Sequence, residues 1–357
     1  MKIIHCSDLH LDSAMGSNLS PEKAKMRNAE LCATFARLVR FAVRDQVEAV
    51  LIAGDLFDSE RVSMRTADFV IEQIRGANSV TFFYIRGNHD ESRDAFGEIE
   101  LPENLITFDS EWKSYRCGDA VVTAIEPEGS GWLNMYDNLR LDGNARNIVM
   151  LHGQISTQPG VEQIALPLLR NKNIHYLALG HLHSYQKATL DQTGEYCYCG
   201  CLEGRGFDEC GEKGFVLLET GNGMVRSRFV PFAQRTLHEI SVDISNAETV
   251  TQILSQMKQG AEGITSDDLV KFTLGGTYTL QTQKDTLFLQ KMLEPDFWFI
   301  RIKDESRLRI DRESYEYDIS LKGEFVRMVL ASDRSEAEKE RIICCGIRAL
   351  SGEEVAL

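Results

Sequence analysis

Five short stretches of this sequence carry hard metal-ligating side chains at close spacing: Asp8-Leu9-His10, Gly54-Asp55-Leu56-Phe57-Asp58, Gly87-Asn88-His89-Asp90, Leu151-His152-Gly153 and Gly180-His181-Leu182-His183. Singly each is weak, because a polar residue at a strand end is usually a satisfied structural group. Together Asp8, His10, Asp55, Asn88, His152, His181 and His183 supply two carboxylates, an amide oxygen and four imidazoles, a mixed nitrogen and oxygen set that suits manganese, iron or zinc. Five of the eight histidines fall in these stretches; His5, His175 and His238 do not and read as structural. One ion would leave donors over, so the set predicts two. Two cations about 3.5–4 Å apart are what phosphate-ester hydrolysis needs: they acidify a water between them and neutralise the phosphoryl oxygens. Asp55 is the natural bridge, His89 can protonate the leaving oxygen or stabilise the transition state, and Asp58 can orient a ligand or His89.

The elements that must position these residues are legible as alternating strand-like and helix-period segments, the pattern of an α/β fold. Strands are expected over Lys2 to Cys6, Val47 to Ala53, Val80 to Ile85, Asn147 to Leu151 and Tyr176 to Leu179. Each ends on one of the five stretches, and α/β sheets present their sites at the C-terminal ends of strands. If the strands continue, Asp8 and His10 share a face, as do His181 and His183. Helices are expected over Pro21 to Gln46, with Ser20 as N-cap, and over Met64 to Arg75. Tyr196 to Glu219 reads as short strands with glycine-rich turns, Val230-Pro231-Phe232 as an exit segment, and a boundary is placed near Ala233. This divides the chain into a site-bearing domain, 1–232, and a small α/β domain, 233–357. The second has strands over Leu237 to Ile244, Leu269 to Leu274 and Phe297 to Ile302, and helices over Ala247 to Gln259, Lys284 to Leu293 and Glu336 to Leu350.

Composition narrows the function further. With 357 residues, 43% apolar and 26% charged, the chain is long enough for two folded domains and is neither disordered nor fibrous. No apolar run approaches the roughly 20 residues of a membrane span, and no secretion signal opens the sequence, so the cytoplasm is expected. Nine cysteines, an odd number, argue for reduced thiols rather than a disulfide framework. Cys197, Cys199 and Cys201 alternate and would share a strand face, where packing is the simpler role than a zinc or iron–sulfur site. Cys344-Cys345 reads as packing in the last helix. The formal charge of −15 excludes broad charge-driven coating of nucleic acid, leaving a local patch or a basic partner to hold it. Arg37, Arg40 and Arg44 at helical spacing read as a solvated face. Arg205 can offer a forked contact to a substrate phosphate or sit in an ion pair.

The ordered series Asp-x-His, Gly-Asp-x-x-Asp, Gly-Asn-His-Asp, His-Gly and Gly-His-x-His, from Asp8 to His183, resembles the calcineurin-like metallophosphoesterases. That resemblance implies a two-sheet sandwich flanked by helices. It implies one metal on Asp8, His10, Asp55 and His183, another on Asp55, Asn88, His152 and His181, and His89 as the catalytic histidine. Ser59-Glu60 follows Asp58 where the serine/threonine phosphatases of the superfamily carry Arg-Gly. Ile4 to Ser13, Tyr198 to Glu209 with Gly211-Glu212-Lys213-Gly214, Gly323 to Arg327, and Leu350-Ser351-Gly352-Glu353-Glu354 are similar to the bacterial SbcD-type DNA repair exonucleases, especially their YhaO-type branch. This implies a Mn²⁺-dependent phosphodiesterase acting on DNA, from ends or at single-stranded sites, with a capping second domain. DNA, a homodimeric partner and an SbcC-like coiled-coil ATPase are the implied partners. Two other readings stand beside it: a small-molecule phosphoesterase acting on nucleotides or cyclic nucleotides, and a non-enzymatic DNA-end scaffold.

Overall fold

The structure, a computed structural model, describes all residues except 16–18, 59–61, 91–95, 97–98, 222–223, 280–281, 310–314, 316 and 353–357. Ser59-Glu60 and Glu353-Glu354 therefore lie outside the described residues. The chain divides into two compact units, Met1–Leu237 and His238–Leu357.

The first unit runs β1 (Lys2–Cys6), α1 (Pro21–Arg44), β2 (Ala49–Ala53), α2 (Met64–Gly76), β3 (Thr81–Ile85), β4 (Leu105–Thr107), β5 (Lys113–Cys117), β6 (Ala120–Ala124) and α3 (Gly131–Asn138). It continues through β7 (Arg146–His152), β8 (Gln154–Ser156), β9 (Gln163–Ala165), α4 (Leu166–Leu169), β10 (Ile174–Gly180), β11 (Gln186–Thr189), β12 (Glu195–Tyr198), β13 (Gly214–Gly221) and β14 (Met224–Pro231). Two six-stranded sheets result, ordered β14-β13-β1-β2-β3-β4 and β11-β12-β10-β7-β6-β5. In the first, β1, β2, β3 and β4 are mutually parallel; in the second, β6, β7, β10 and β12 are.

Alternation along the central strands divides their side chains between a core inside the sandwich and an outer core on each sheet. Ile3, Leu51, Phe83, Ile148, Met150, Tyr176 and Ala178 fill the layer between the sheets. Ile4, Val50, Ile52 and Phe82 point the other way, onto Leu31, Phe35 and Leu38 of α1 and Val70 and Ile74 of α2. Val149, Leu151, Leu177 and Leu179 face Trp132 and Met135 of α3. Strands buried on both faces read as continuous apolar runs, which is why these were recognisable from sequence.

Helix α1 opens as expected, Ser20 accepting from the Lys23 N–H with Pro21 in the first turn. It stops at Arg44, two residues before the expected Gln46, because Gln46 takes φ +51° and turns the chain toward β2. Arg37 departs from the solvated-face reading: its guanidinium hydrogen-bonds the Phe232 carbonyl and lies 4.3 Å over the Phe232 ring, while Arg40 and Arg44 are exposed. Pro231, expected in an exit segment, instead ends β14, an edge strand where a missing N–H costs no ladder bond.

In the second unit β15 (Leu237–Asp243), β16 (Leu269–Gly275) and β18 (Phe299–Asp304) form a three-stranded sheet, while β17 (Thr277–Tyr278) pairs with β19 (Arg307–Leu308). Helices α5 (Val250–Gly260), α6 (Thr286–Leu293), α7 (Leu321–Leu330) and α8 (Glu336–Leu350) complete it around a core of Ile253, Met257, Phe272, Leu289, Val326 and Ile347. Among the described residues no helix is long and apolar enough to cross a membrane.

Candidate metal centre

All five ligand-bearing stretches stand at the C-terminal ends of parallel strands, three on the first sheet (β1, β2, β3) and two on the second (β7, β10). Strand alternation does not aim them. β1 ends at Cys6, and Asp8 (φ +52°), His10 (φ +45°), Asp55 (φ +50°) and His181 (φ +113°) adopt left-handed backbone. The expected shared strand face of Asp8 and His10, and of His181 and His183, is thus replaced by turning loops. Such conformations cost a non-glycine residue about 1–3 kcal/mol each, and they concentrate at functional sites. The loops after β1 and β2 are held in register by Asp8 N–H to Gly54 O, His10 N–H to Asp55 O and Leu11 N–H to Leu56 O, each 3.0 Å.

Two glycines have specific reasons. Gly54 has φ +92°, and a Cβ there would meet His152 Nδ1 at 2.1 Å. Gly87 needs no unusual turn, but a Cβ would strike Asp55 Oδ1 at 2.1 Å.

The seven expected ligands converge. His10 Nε2 lies 3.1 Å from His183 Nε2 and 3.8 Å from Asp55 Oδ2, and His183 Nε2 lies 3.9 Å from Asp8 Oδ1. Across the site, Asn88 Oδ1 is 3.0 Å from His152 Nε2 and 3.2 Å from His181 Nδ1, and His152 Nε2 is 3.4 Å from Asp55 Oδ2. Donors bound to one ion at about 2.0–2.2 Å stand about 3.0–3.5 Å apart, so the spacing fits a metal. Asp8, Asp55, His10 and His152 are buried; two carboxylates kept from water with no salt-bridging lysine or arginine among the described residues are what a cation would compensate. Among the described residues, three groups of ligating side chains have donor atoms within 4.8 Å of one another: Asp8, His10 and His183; Asp8, Asp55 and His152; and His10, Asp58 and His89. Asp55 and Asp8 thus stand between the two imidazole pairs.

The electrostatics follow from burial and pairing. Burial alone would raise the Asp55 carboxyl, but the His152 hydrogen bond and charge, with His10 and the His89 N–H, bring it to about 2. Burial would lower His152, yet Asp55 lifts it to about 9. Burial depresses His10 and, with the neighbouring His152 charge, His181. His183 is raised, because Glu209 outweighs its burial.

His89 is the exposed member. Its N–H donates to Asp55 Oδ1 at 2.9 Å, its ring meets His10 edge-on at 4.9 Å, and its Nδ1 lies 3.7 Å from Asp58 Oδ1. Asp58 Oδ1 is 2.8 Å from His10 Nδ1 and accepts from Arg205 Nη1 at 2.9 Å. Arg205 reaches the centre through these carboxylates, its Nε and Nη2 donating to Glu209 Oε1.

Three supporting residues are not singled out by the sequence patterns. Glu209 takes His183 Nδ1 at 2.6 Å. Asp90 accepts the N–H groups of Leu56, Phe57 and Gly87, tying the loops after β2 and β3; burial and the Asp55 charge raise its acid to about 6 against those three donors. Ser7 donates to Asp8 Oδ2. Asp90 closes the Gly-Asn-His-Asp stretch and Glu209 follows Phe207-Asp208, so position in a motif was the available signal.

The remaining candidates are structural. His5 is fully buried, 2.9 Å from the Tyr176 hydroxyl, and desolvation lowers it to about 3. Cys197 and Cys199 pack between the sheets and Cys201 is buried beside the His183 carbonyl; burial raises all three thiols, and no group of ligating side chains among the described residues includes a cysteine.

A helix-flanked sandwich of two six-stranded sheets, with an Asp, Asn and His cluster across their strand ends, is the architecture of a metal-dependent phosphoesterase. Residues 1–185 match the calcineurin-like phosphoesterase family, and the chain belongs to it. Among curated relatives, the uncharacterized metallophosphoesterase YhaO of Bacillus subtilis is 28% identical over 338 residues, covering 86% of this chain and 82% of that protein. The DNA double-strand break repair protein Mre11 of Aeropyrum pernix is 24% identical, covering 70% of this chain and 65% of its own. The SbcD component of the nuclease SbcCD of Escherichia coli K12 is 25% identical across the whole of both chains.

Proposed function

We propose that the chain is a dinuclear-metal phosphodiesterase that hydrolyses DNA, as an exonuclease, a single-strand endonuclease or both, in DNA repair. The observation that carries this reading is the convergence of Asp8, His10, Asp55, Asn88, His152, His181 and His183 from five strand ends, with donor spacings of 3.0–3.9 Å. His10, His183 and Asp8 would hold one ion, Asn88, His152 and His181 the other, with Asp55 between. When bound, two divalent ions, Mn²⁺ by preference, supply an activated water and charge neutralisation at the phosphoryl oxygens.

The chain's own residues do the rest. Asp55 fixes the His89 backbone, so the exposed imidazole stands at the mouth of the site, where it delivers a proton to the leaving oxygen. Asp58 holds His10 and faces His89. DNA as substrate rests on a DNA double-strand break repair relative and a nuclease relative, which align over most and over all of this chain. We likewise propose, from the resemblance of the motifs to the SbcD-type exonucleases, a nuclease role for 1–232, a capping role for 233–357, a homodimer, an SbcC-like ATPase partner and a cytoplasmic site of action.

The test is hydrolysis by the purified chain, with Mn²⁺, of end-labelled linear and closed circular DNA beside mono- and cyclic nucleotides, with Asp55→Asn as control. DNA cleavage lost in the variant is expected, and the linear-to-circular ratio reports the need for an end. Turnover confined to nucleotides would overturn the DNA reading in favour of a small-molecule phosphoesterase.

A further inference from the structure

The two imidazoles that meet through Nε2, His10 and His183, both have their outer nitrogen beside a carboxylate. His10 Nδ1 lies 2.8 Å from Asp58 Oδ1, and His183 Nδ1 lies 2.6 Å from Glu209 Oε1. A single guanidinium joins those carboxylates. Arg205 Nη1 donates to Asp58 Oδ1 at 2.9 Å; its Nε and Nη2 donate to Glu209 Oε1 at 3.2 and 2.9 Å; its backbone N–H donates to Glu209 Oε2 at 2.7 Å. Arg205 Nη2 and His183 Nδ1 are 3.3 Å apart, the separation of two donors that share Glu209 Oε1. Glu209 is 4% exposed, so its charge is committed to these partners rather than to solvent. The His183 carbonyl is pinned as well, by Lys213 Nζ at 2.7 Å.

We propose that Arg205 and Glu209 are positioning residues for one of the two metal ions: with Asp58 they form a carboxylate–guanidinium–carboxylate brace that keeps His10 and His183 turned with Nε2 inward. The inference rests on the dinuclear reading of the site. A neutral imidazole donates from one nitrogen and accepts at the other, so an Nδ1–H bound to a carboxylate leaves the Nε2 lone pair for the metal. Partners of this kind typically contribute 10–100-fold to metal affinity. Among the described residues the opposite pair lacks the device: His152 Nδ1 meets the Ala53 carbonyl at 2.9 Å, so the brace bears on one ion and not the other. A lysine in place of Arg205 cannot span both carboxylates with a planar fork.

The test is calorimetric titration of the full chain with Mn²⁺, comparing wild type, Glu209→Gln, Arg205→Lys and the double variant. Wild type is expected to take two ions. Each single variant weakens one ion by about 10–100-fold and leaves the other within about twofold. The double variant is no weaker than the worse single one, because both residues act through the same rings. General loosening of the fold would lower both affinities together. Wild-type affinities for both ions in both variants, or an equal fall of both, overturn the brace. Wild type taking fewer than two ions overturns the dinuclear reading instead. A second measurement needs no variant: imidazole nitrogen NMR of the zinc-loaded wild type should show His10 and His183 ligating through Nε2 with protonated Nδ1, and ligation through Nδ1 contradicts the brace.

Discussion

On the His10 and His183 side of the metal centre, each imidazole is backed by an ionised carboxylate, and Arg205 ties the two carboxylates together. On the Asn88, His152 and His181 side, the backing is the Ala53 carbonyl, and the donors are an amide oxygen and two rings meeting edge-on at 5.5 Å. The first side is built of loops and secured by charge. The second has one donor on a strand, His152 being the last residue of β7, with Asn88 and His181 on the loops after β3 and β10. A loop donor needs partners to hold its rotamer, whereas a donor at the end of a strand buried in the sheet inherits its position from the ladder. Asp55 belongs to both sides, 3.8 Å from His10 Nε2 and 3.4 Å from His152 Nε2.

The contrast between the two sides disappears most completely if that shared residue is changed. Asp55→Asn should abolish hydrolysis and reduce the binding of both ions, read as metal content after dialysis; loss of one ion alone would show that the two sides do not share it. Next in size, His89→Ala should keep both ions and lose about 10²–10⁴-fold in kcat, as for a lost general acid, and wild-type turnover with both ions bound would remove the histidine from the chemistry.

A smaller effect separates the sides by pH. Without metal, Asp55 holds His152 at about 9, so at neutral pH that ring carries a proton which an ion must displace. Asp55, at about 2, is already ionised and contributes no such dependence. Affinity for the ion on the His152 side should therefore fall with falling pH below about 9, by up to about tenfold per unit. Calorimetry at pH 7 in buffers of different ionisation enthalpy should find close to one proton released from this ring; no release would contradict the pairing. Smaller again, Mn²⁺ at a hundred times its Kd should stabilise the fold by about 2.7 kcal/mol for each ion, seen as a rise in Tm over chelator-treated protein. In the second unit, where Ile319 is 100% exposed, Ile319→Ser should change stability by no more than about 0.5 kcal/mol and leave metal binding untouched.

The parts of the fold legible in the sequence were those with continuous burial. β1, β2, β3, β7 and β10 are apolar runs buried on both faces, and α1 announces itself with Ser20-Pro21. β5 and β14 escaped because their residues alternate between partial burial and exposure at sheet edges, and β4, β8 and β9 are only three residues long. For the site, residue type and motif order identified donors that the structure brings together. The backbone that aims them was not legible: local spacing suggested a strand face for Asp8 and His10, whereas pairing with the loop after β2 imposes left-handed turns. Nor was the brace, since Glu209 meets His183 across 26 residues and Arg205 meets Asp58 across 147, and no local pattern encodes a contact between loops of different strands.

A two-ion mechanism is tested most directly by hydrolysis of a chromogenic phosphodiester, bis(p-nitrophenyl) phosphate, followed against the number of Mn²⁺ ions bound per chain. Activity should track the chains that hold two ions, with chelator-treated protein inactive and activity recovered on adding Mn²⁺. Full activity with one ion bound, or any that survives complete chelation, would rule the two-ion centre out.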